Sequence, residues 1–377
     1  MNINNHFLSL VDFLAFTQGI LLGILLIVRS KKNRPSSLLG WFLICYSGDL
    51  VDTILLDTHL IADFPNLMFL PLNFYFLTLP LLYLYTKSLI GEVSVKRYFW
   101  LFLPGLVEFL IFLKLFLLPV ERKLNLIISD NFNVALGTYQ LASFVFSICC
   151  AILIIRLIDR HQKLLAGYYA NLEKKRLVWV KVVAQAIIVF YSTWILFYYL
   201  DGTNIQHYLT PALSIGNVVF IFWVGISGLL QTRVEPYIEK QSPPVTGLPE
   251  ETDEDLIDRE KERALFMSFR QMVEQEKLYK NADLTLPVLA EKFEVSRWTL
   301  SRMINQYGDV NFSRFINEYR VREAVKILCD DNYNHLNMLG IAYEVGFSSK
   351  ATFFAVFKQI TNTSPGNFKK NCNKRNS

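Results

Sequence analysis

The sequence predicts an all-α protein in two parts: a seven-helix transmembrane bundle, followed by a cytoplasmic all-α double helix-turn-helix domain. Three observations predict this class. The chain of 377 residues is 52% hydrophobic, which is too apolar for an ordinary soluble domain. Its apolar residues gather in seven runs before residue 230. Near the other end, one pattern of two short helices joined by a tight turn occurs twice.

The seven apolar segments fill residues 1–230. Each is close to the ~20 residues that an α-helix needs to cross the hydrocarbon core of a bilayer. The first is not expected to be a cleaved signal peptide, because basic residues follow it and do not precede it. The segments are residues 7–28, 37–56, 67–90, 99–119, 134–158, 178–200 and 209–230.

The charges between these segments predict their orientation. Loops after the first, third and fifth segments are basic, whereas loops on the other side hold only Arg122 and Lys123. Cytoplasmic loops of membrane proteins carry an excess of Lys and Arg. The N-terminus is therefore expected outside and the C-terminus in the cytoplasm. The basic inner-loop residues are Arg29, Lys31, Lys32, Arg34, Lys96, Arg97, Arg160, Lys163, Lys174, Lys175 and Arg176.

Ionisable side chains inside apolar segments are costly in lipid, so each is by default a functional candidate. At about 1.5 Å per residue, Asp12, Asp52 and Lys114 lie at similar depth below the outer boundary. Asp49 lies one helical turn deeper than Asp52, and Glu108 lies deeper on the fourth segment. These residues predict either a structural Asp52–Lys114 pair that packs helices or an outward-open pocket for a signal. Shifted segment boundaries are a third alternative.

A linker and a leading helix follow the bundle. Residues 231–255 are rich in Pro and acidic residues, and are expected to be flexible or partly extended. The second domain, residues 256–377, begins with a helix expected over residues 256–277. Its apolar stripe is expected to pack on the domain. Two heptads are marginal for a coiled coil, and a homodimer remains an alternative. The stripe is Leu265, Phe269, Met272 and Val273.

The first copy of the repeated pattern lies between residues 286 and 306. An apolar helix face precedes a tight turn at Glu294 and Val295. Ser296 has the side chain to cap a second helix, expected over residues 297–306. The apolar face consists of Leu286, Leu289, Ala290 and Phe293.

The second copy follows about fifty residues later along the chain. Its turn is Gly346 and Phe347, and Ser348 or Ser349 can cap a helix expected over residues 350–360. Two such units on a basic segment suggest two recognition helices that enter successive major grooves of DNA. The apolar face before the turn consists of Met338, Ile341, Ala342 and Val345.

Both copies resemble the AraC family of bacterial transcription regulators, over roughly the last hundred residues. Three positions depart from the family pattern: Glu294 and Asn362 stand where the family usually has Gly, and Ala355 where Arg is frequent. Glu tolerates positive φ poorly, so the first turn is expected to be strained by about 1 kcal/mol. The first motif is carried by Ser296, Leu300, Ser301, Arg302, Gly308, Phe312, Ile316, Tyr319, Arg320 and Ala324. The second is carried by residues 341–350, Phe353, Phe357, Lys358, Ser364 and Pro365.

The resemblance makes the accessible side chains of the two recognition helices candidates for DNA contacts. Arg297 and Arg302 can grip guanine or phosphate, and Trp298 can pack on a sugar or a thymine methyl. The second helix is expected mainly to position the domain, with Lys350 and Lys358 on phosphates. The candidates are Ser296, Arg297, Trp298, Ser301, Arg302, Asn305, Ser349, Lys350, Ala351, Phe354, Ala355 and Lys358.

A helix expected over residues 313–328 joins the two copies. It carries Arg320, Arg322 and Lys326. Phosphate contact and a solvated face are equal interpretations of these three side chains.

These observations favour a membrane-embedded, one-component transcription regulator in the bacterial inner (cytoplasmic) membrane. Its partners would be double-stranded DNA, the lipid bilayer and a small-molecule or membrane-protein signal. Two alternatives stay open. One is a transporter or receptor with secondary DNA binding. The other is a passive anchor from which proteolysis releases the DNA-binding domain, called the reader below. The sequence has no Walker loop, His-Glu-x-x-His or CxxC motif, so no enzyme, cofactor or metal is expected. The five cysteines avoid the outer loops, and no disulfide framework is expected.

Overall fold

The computed structural model describes residues 3–29, 34–91, 95–171, 177–199, 205–231 and 253–376. Two compact units divide the chain: Met1–Asp159 with Leu177–Pro236, and Arg160–Arg176 with Tyr237–Ser377. Most of the predicted linker, residues 231–255, lies outside the described residues. So do the inner-loop residues Lys31, Lys32 and 174–176.

Helices build the first unit. Among its described residues, six helices are long and apolar enough to cross a membrane, judged by length and composition: Leu8–Arg29, Pro35–Asp57, Arg97–Phe116, Asp130–Ala166, Val178–Leu196 and Pro211–Leu230. The individual helices are α1 (Ile3–Arg29), α2 (Arg34–Gly48), α3 (Leu50–Asp57), α4 (Leu60–Asp63), α5 (Tyr75–Ile90), α6 (Leu103–Phe116), α7 (Val120–Ile128), α8 (Asp130–Ala166), α9 (Val178–Tyr199) and α10 (Ile205–Leu230). The last turns of α8, from Arg160, belong to the second unit.

The third predicted segment, residues 67–90, is a shorter helix than the sequence suggested. α5 has 16 residues and rises about 24 Å. Irregular backbone precedes it in a stretch that contains Pro65 and Pro71, each of which lacks the N–H group that closes a helical hydrogen bond. α5 nevertheless contributes Leu79, Leu82 and Tyr85 to the core of the first unit.

Close backbone contacts hold α1 against α2. A Cβ atom added at Gly23 would lie 2.8 Å from the carbonyl oxygen of Gly40, and one added at Gly40 would lie 2.6 Å from that of Gly23. Small residues at such crossings are typical of helix packing in membranes. Large apolar side chains cover the outside of the unit, including Leu21, Leu117 and Val219, which are 69%, 73% and 63% exposed. Exposed apolar surface of this extent marks a surface that meets lipid or a partner.

The second unit is also helical. Its described residues form α11 (Asp253–Gln275), α12 (Leu286–Lys292), α13 (Arg297–Gly308), α14 (Phe312–Leu328), α15 (Met338–Glu344), α16 (Lys350–Thr361) and α17 (Pro365–Asn376). The helix α14 runs between the two helix-turn-helix units and contributes to two apolar cores, to one through its first half and to the other through its second half. The bounds of α13 and α16 agree closely with those expected from the sequence, and α12 and α15 contain most of the predicted apolar faces.

The first core joins α11 to the first helix-turn-helix unit. The Phe269 ring stacks on Phe315, with the ring centroids 5.6 Å apart. Val273 is buried in the same core, as the stripe predicted. The prediction of this stripe was wrong at its first residue, because Leu265 is 37% exposed and its neighbour Phe266 is buried instead. α11 therefore packs on the domain that follows it.

The second core lies beneath the second helix-turn-helix unit. Phe353 and Phe357 are fully buried on α16, and Phe368 of α17 packs edge-on against Phe357. α17 also approaches the end of α14, where a disulfide joins Cys329 to Cys372 with the Cα atoms 5.5 Å apart. The sequence predicted no disulfide framework and did not indicate this bond, which forms because the packing of α17 brings together two cysteines that are 43 residues apart.

Arg320 joins the two helix-turn-helix units. Its guanidinium donates to the carbonyl oxygens of Tyr279 and Asn281, at 2.7 and 2.8 Å, and to Asn317 Oδ1 at 3.2 Å. The same group lies 5.5 Å from the centre of the Phe347 ring. Arg320 is only 1% exposed, and burial lowers its pKa to about 10. Both interpretations of this side chain from the sequence, a phosphate contact and a solvated face, were wrong.

Candidate nucleic-acid interface

The two tight turns have the same backbone hydrogen bonds. Val295 N–H donates to the carbonyl oxygen of Ala290 at 3.0 Å, and Phe347 N–H donates to that of Ala342 at 2.9 Å. This bond from the third residue past the end of a helix back to its last turn is the Schellman arrangement, which needs a left-handed residue just before the donor. The two copies therefore leave their first helix through the same type of turn.

Different residues occupy the left-handed position. Glu294 has φ of +56° and Gly346 has φ of +95°. A Cβ atom at Gly346 would lie 2.4 Å from the carbonyl oxygen of Tyr279, so close approach as well as φ requires glycine there. Asn362, which ends α16, also has positive φ, at +57°. The positive φ expected at Glu294 is present, with the strain that it implies for a side chain without a short polar group.

The first recognition helix, α13, has one buried and one accessible face. Ser296 caps it by accepting a hydrogen bond from Thr299 N–H at 3.0 Å. Leu300, Met303 and Ile304 are fully buried, as their spacing predicted. Their burial turns the opposite side of α13 outward.

The accessible face of α13 carries the side chains chosen from the sequence. Arg302 and Asn305 are exposed, and Trp298 is 49% exposed. Arg297 and Ser301 are half-buried beside them. The Arg302 guanidinium lies 4.4 Å from the centre of the Trp298 ring, and this stacking holds it over the helix. Stacking uses the flat face of the guanidinium, so the N–H donors at its edge can bond another group.

That donor edge is occupied by a carboxylate from the leading helix. Arg302 forms an ion pair with Glu262 of α11. Tyr307 donates a longer hydrogen bond, at 3.3 Å, to the other oxygen of Glu262. Sequence reasoning missed this contact, because nothing in the spacing of α11 relates Glu262 to a helix 40 residues away.

The second recognition helix, α16, presents a less polar face. Ser349 caps it by accepting from Thr352 N–H at 3.2 Å. Lys350, Ala351, Ala355 and Lys358 are exposed. Phe354 is half-buried: its ring packs edge-on against Phe353, and the Lys350 ammonium lies 5.4 Å from its centre. The accessible face of α16 therefore offers two ammonium groups and apolar surface.

Sequence comparisons fit this geometry. A family described as "Helix-turn-helix domain" matches residues 289–371. The chain is 32% identical over 94 residues to the "Probable transcription factor PqrA" of Proteus vulgaris, and the match covers 25% of this chain and 75% of that protein. This chain belongs to the AraC family of transcription factors.

A solved structure is also similar to this AraC-type chain. It is "The C-terminal domain of AraT, a response regulator from Geobacillus stearothermophilus", at 29% sequence identity. The match covers 28% of this chain and 84% of that one, with a TM-score of 0.26.

The candidate signal residues belong to the first unit. Asp12 and Glu108 are 1% and 3% exposed. Asp49 and Asp52 are half-buried, and Lys114 is exposed. Within the described residues no ion pair joins Lys114 to Asp52, so the structure does not bring together the pair that the sequence suggested.

Hydrogen bonds occupy two of these carboxylates. Asp49 Oδ1 accepts from Phe74 N–H at 2.6 Å. Glu108 accepts from Phe76 N–H at 3.2 Å and from the Tyr139 hydroxyl at 2.6 Å. Both therefore satisfy donors at the start of α5, where a helix leaves its first N–H groups unpaired.

Proposed function

We propose that this AraC-type chain is a one-component transcription regulator embedded in the bacterial inner membrane, with its DNA-binding domain in the cytoplasm. One observation carries the proposal: two units of opposite surface character are joined in a single chain. The first exposes large apolar side chains on helices of membrane-crossing length. The second exposes Arg302, Lys350 and Lys358 on two recognition helices. The bundle would tether the reader and sense a signal for it.

The connectivity supports a common side for the inner loop and the reader. Residues 160–176 belong to the same compact unit as the DNA-binding domain. Two helices of membrane-crossing length, α9 and α10, separate them along the chain. An even number of crossings returns a chain to the side from which it started.

The third predicted segment decides the full topology. α5 rises about 24 Å, whereas a hydrocarbon core is about 30 Å thick. We propose that α5 crosses, because local thinning of the bilayer accommodates short spans at modest cost. Seven crossings then put the N-terminus outside and the basic loop of residues 30–33 in the cytoplasm. Six crossings would put that loop outside, against the positive-inside rule.

Reporter fusions test this topology. A reporter that is active only in the cytoplasm should work within residues 30–33, within residues 163–175 and after Leu230. It should fail within residues 125–131. Activity at 125–131 with silence after Leu230 would overturn the proposal, since the reader would then lie outside the cell. If the reporter is inactive only within residues 30–33, α5 does not cross the membrane.

Site selection from random DNA tests the reading function. The full chain in lipid nanodiscs is expected to select a discrete sequence, and crosslinking in cells should place the same sequence at its targets. Deletion of residues 1–230 should change the response to a signal but not the selected sequence. A chain that selects no sequence would contradict the proposal.

Each of the two alternative functions makes a prediction of its own that can be tested. A passive anchor predicts a stable soluble fragment that begins near residue 241, visible on a blot of fractionated cells. A transporter or receptor with secondary DNA binding predicts substrate flux or ligand binding that survives deletion of residues 254–377.

The signal could enter through the polar interior of the bundle. Asp12 Oδ1 and Asn73 Oδ1 are buried without a hydrogen-bond partner among the described residues. Such atoms are costly in a dry interior, and a bound polar ligand would satisfy them. Asp12, Asp49, Asp52 and Glu108 are the side chains that we assign to this site; Lys114, which is exposed, stays outside it.

A further inference from the structure

The loop that connects α8 to α9 pairs with the start of the first helix-turn-helix unit. Tyr169 forms an antiparallel bridge with Thr285. Ala170 N–H donates to the carbonyl oxygen of Leu284 at 3.2 Å, and Leu286 N–H donates to that of Tyr168 at 2.9 Å. We name residues 168–171 the docking segment. Its backbone is bonded to the DNA-binding domain as a short added strand would be.

The docking segment is built into the domain and does not merely touch it. Ala170 is 3% exposed and belongs to the same apolar core as Phe269 and Phe315. Tyr168 packs against that core. The Ser313 hydroxyl, at the start of α14, donates to the carbonyl oxygen of Ala170 at 3.3 Å. Backbone pairing, apolar burial and a side-chain hydrogen bond thus all hold the segment at the same position on the domain.

The end of the docking segment reaches the second helix-turn-helix unit. The Asn171 amide donates to the hydroxyl of Ser348. Ser348 directly precedes Ser349, the residue that caps the recognition helix α16. The four residues of the docking segment therefore contact the start of the first helix-turn-helix unit, the joining helix α14 and the residue before the cap of α16.

Two of the contacts that hold the docking segment lie where a helix-turn-helix protein meets DNA. In a helix-turn-helix protein the first helix crosses the DNA backbone, and the N-terminal residues of the recognition helix approach base edges. Backbone N–H groups at helix starts are frequent phosphate donors. Here the first N–H of α12 donates to Tyr168, and Asn171 lies on the residue before the α16 cap. The docking segment and DNA thus draw on the same positions.

We propose that the docking segment is an autoinhibitory ligand of the DNA-binding domain, and that docking and DNA binding are mutually exclusive. The inference rests on the proposed function. α8 ends at Ala166, two residues before the segment begins, so a change in the bundle that moves the end of α8 pulls directly on it. A signal that withdraws the segment raises the affinity for DNA. By linkage, DNA weakens docking by the same factor.

A designed disulfide tests the exclusion in the full chain. Cβ atoms of residues that face each other across an antiparallel pair lie about 4.5–5.5 Å apart, close to what a disulfide spans. The double variant Tyr169→Cys with Thr285→Cys, in lipid nanodiscs, locks the segment in place when oxidised and frees it when reduced. The probe is the DNA sequence that the reduced protein itself selects from a random pool.

We expect the oxidised double variant to bind this DNA at least about tenfold more weakly than the same sample after reduction, within the usual range of allosteric coupling. The two single variants keep all native cysteines and should show no difference between the oxidised and reduced states. Equal affinity of the two states of the double variant would overturn the inference. So would a crosslink found only between two copies. Failure of the reduced protein to select any DNA would instead overturn the proposed function.

A substitution that weakens docking gives the opposite sign. Ala170→Pro removes the N–H that donates to Leu284, without touching a recognition helix. Its affinity for the selected DNA should rise about tenfold, while Leu164→Ala, on the exposed side of the last turn of α8, should change nothing. Hydrogen exchange of α12 to α16 confirms that the domain remains folded. An unchanged or weaker affinity in a folded Ala170→Pro variant would overturn the inference.

Discussion

Arg302 on the first recognition helix forms an ion pair with Glu262 on the leading helix, so the side chain best suited to read a base is held by a residue of its own domain. The pair is partly open to water, with the Arg302 side chain 41% exposed and that of Glu262 23% exposed. Ion pairs in such positions contribute about 0–1 kcal/mol. DNA can therefore replace Glu262 at modest cost.

Glu262→Gln should strengthen DNA binding about two- to fivefold, because it frees Arg302 and removes a negative charge close to the phosphates. The selected sequence should not change, since Arg302 itself is kept. Titration of labelled DNA at two salt concentrations measures the effect. Glu276→Gln is the matched control: Glu276 pairs with Lys292, which has no assigned DNA contact. Equal effects of the two variants would mean that only net charge matters.

Glu294→Gly should stabilise the first turn by about 0.5–1 kcal/mol, because glycine adopts positive φ without a steric cost. Gly346→Ala should destabilise the second turn by more, since the new Cβ atom would meet the Tyr279 carbonyl at 2.4 Å. Hydrogen exchange of the full chain measures the protection of the helices next to each turn separately, α12 and α13 for the first turn and α15 and α16 for the second. Greater protection in the Gly346→Ala variant would contradict this account of the turns.

These turns illustrate how far the sequence could reach. Local rules fixed both helix-turn-helix units, because capping serines, apolar spacing and turn residues all act within a few residues. The accessible face of α13 followed from the burial of Leu300, Met303 and Ile304. The same rules could have placed Arg320, which continues the buried stripe of Ile316 and Tyr319 at helical spacing.

Contacts between distant parts of the chain were beyond these rules. The Glu262–Arg302 pair, the Cys329–Cys372 disulfide and the docking segment each join residues more than 39 positions apart. A bundle loop that enters the core of the DNA-binding domain has no local signature, because Tyr168 and Ala170 are ordinary residues for a short loop. The pairing of Asp52 with Lys114 was suggested by equal depth alone. Depth does not fix the direction in which a helix turns its side chains.

Arg320→Ala should destabilise the second unit by about 3 kcal/mol or more, because it leaves the Tyr279 and Asn281 carbonyls without their buried donor. Arg320→Lys should rescue little, since an ammonium cannot reproduce the fork that reaches both carbonyls. The exposed neighbour Arg322 is the control, and Arg322→Ala should change the free energy of unfolding by about 0.5 kcal/mol or less. Thermal unfolding followed through hydrogen exchange of α14 distinguishes these outcomes. If Arg320→Ala lowers the free energy of unfolding no more than Arg322→Ala does, Arg320 does not hold the two helix-turn-helix units together.

Glu108→Gln separates a structural from a sensing role in the bundle. Glutamine keeps an acceptor oxygen for Phe76 N–H, and its amide NH2 can donate to the Tyr139 hydroxyl oxygen, which accepts as well as donates. The start of α5 should therefore stay intact, and the protein should reach normal levels in the membrane. If the signal ligand binds to the charged carboxylate of Glu108, the response of a target promoter to the signal should be lost although the protein is intact. Glu108→Leu, which removes the acceptor, should lower the protein level through unpaired donors at membrane depth. A normal response in the Gln variant would remove Glu108 from the sensing site.

The two recognition helices should differ in what they read. Arg302 can present two donors in a fork that matches the two acceptors of guanine in the major groove, a contact worth about 1–3 kcal/mol of discrimination. Arg302→Ala should therefore relax the preference at one or two base pairs of the selected sequence. Between its two exposed lysines, α16 exposes only Ala351 and Ala355, and Thr352, Phe354 and Val356 are half-buried.

Lys350→Ala and Lys358→Ala should instead weaken binding to all sequences alike, and should each reduce the slope of log affinity against log salt by about one. Selection from random DNA with the full chain should yield one sharply defined half-site that contains guanine, about one helical turn from a softer A/T-rich half-site. Phe354 and the two alanines suit thymine methyl groups, which explains the softer preference. If both half-sites are equally sharp, or the Arg302→Ala variant selects an unchanged sequence, base reading has been assigned to the wrong helix face.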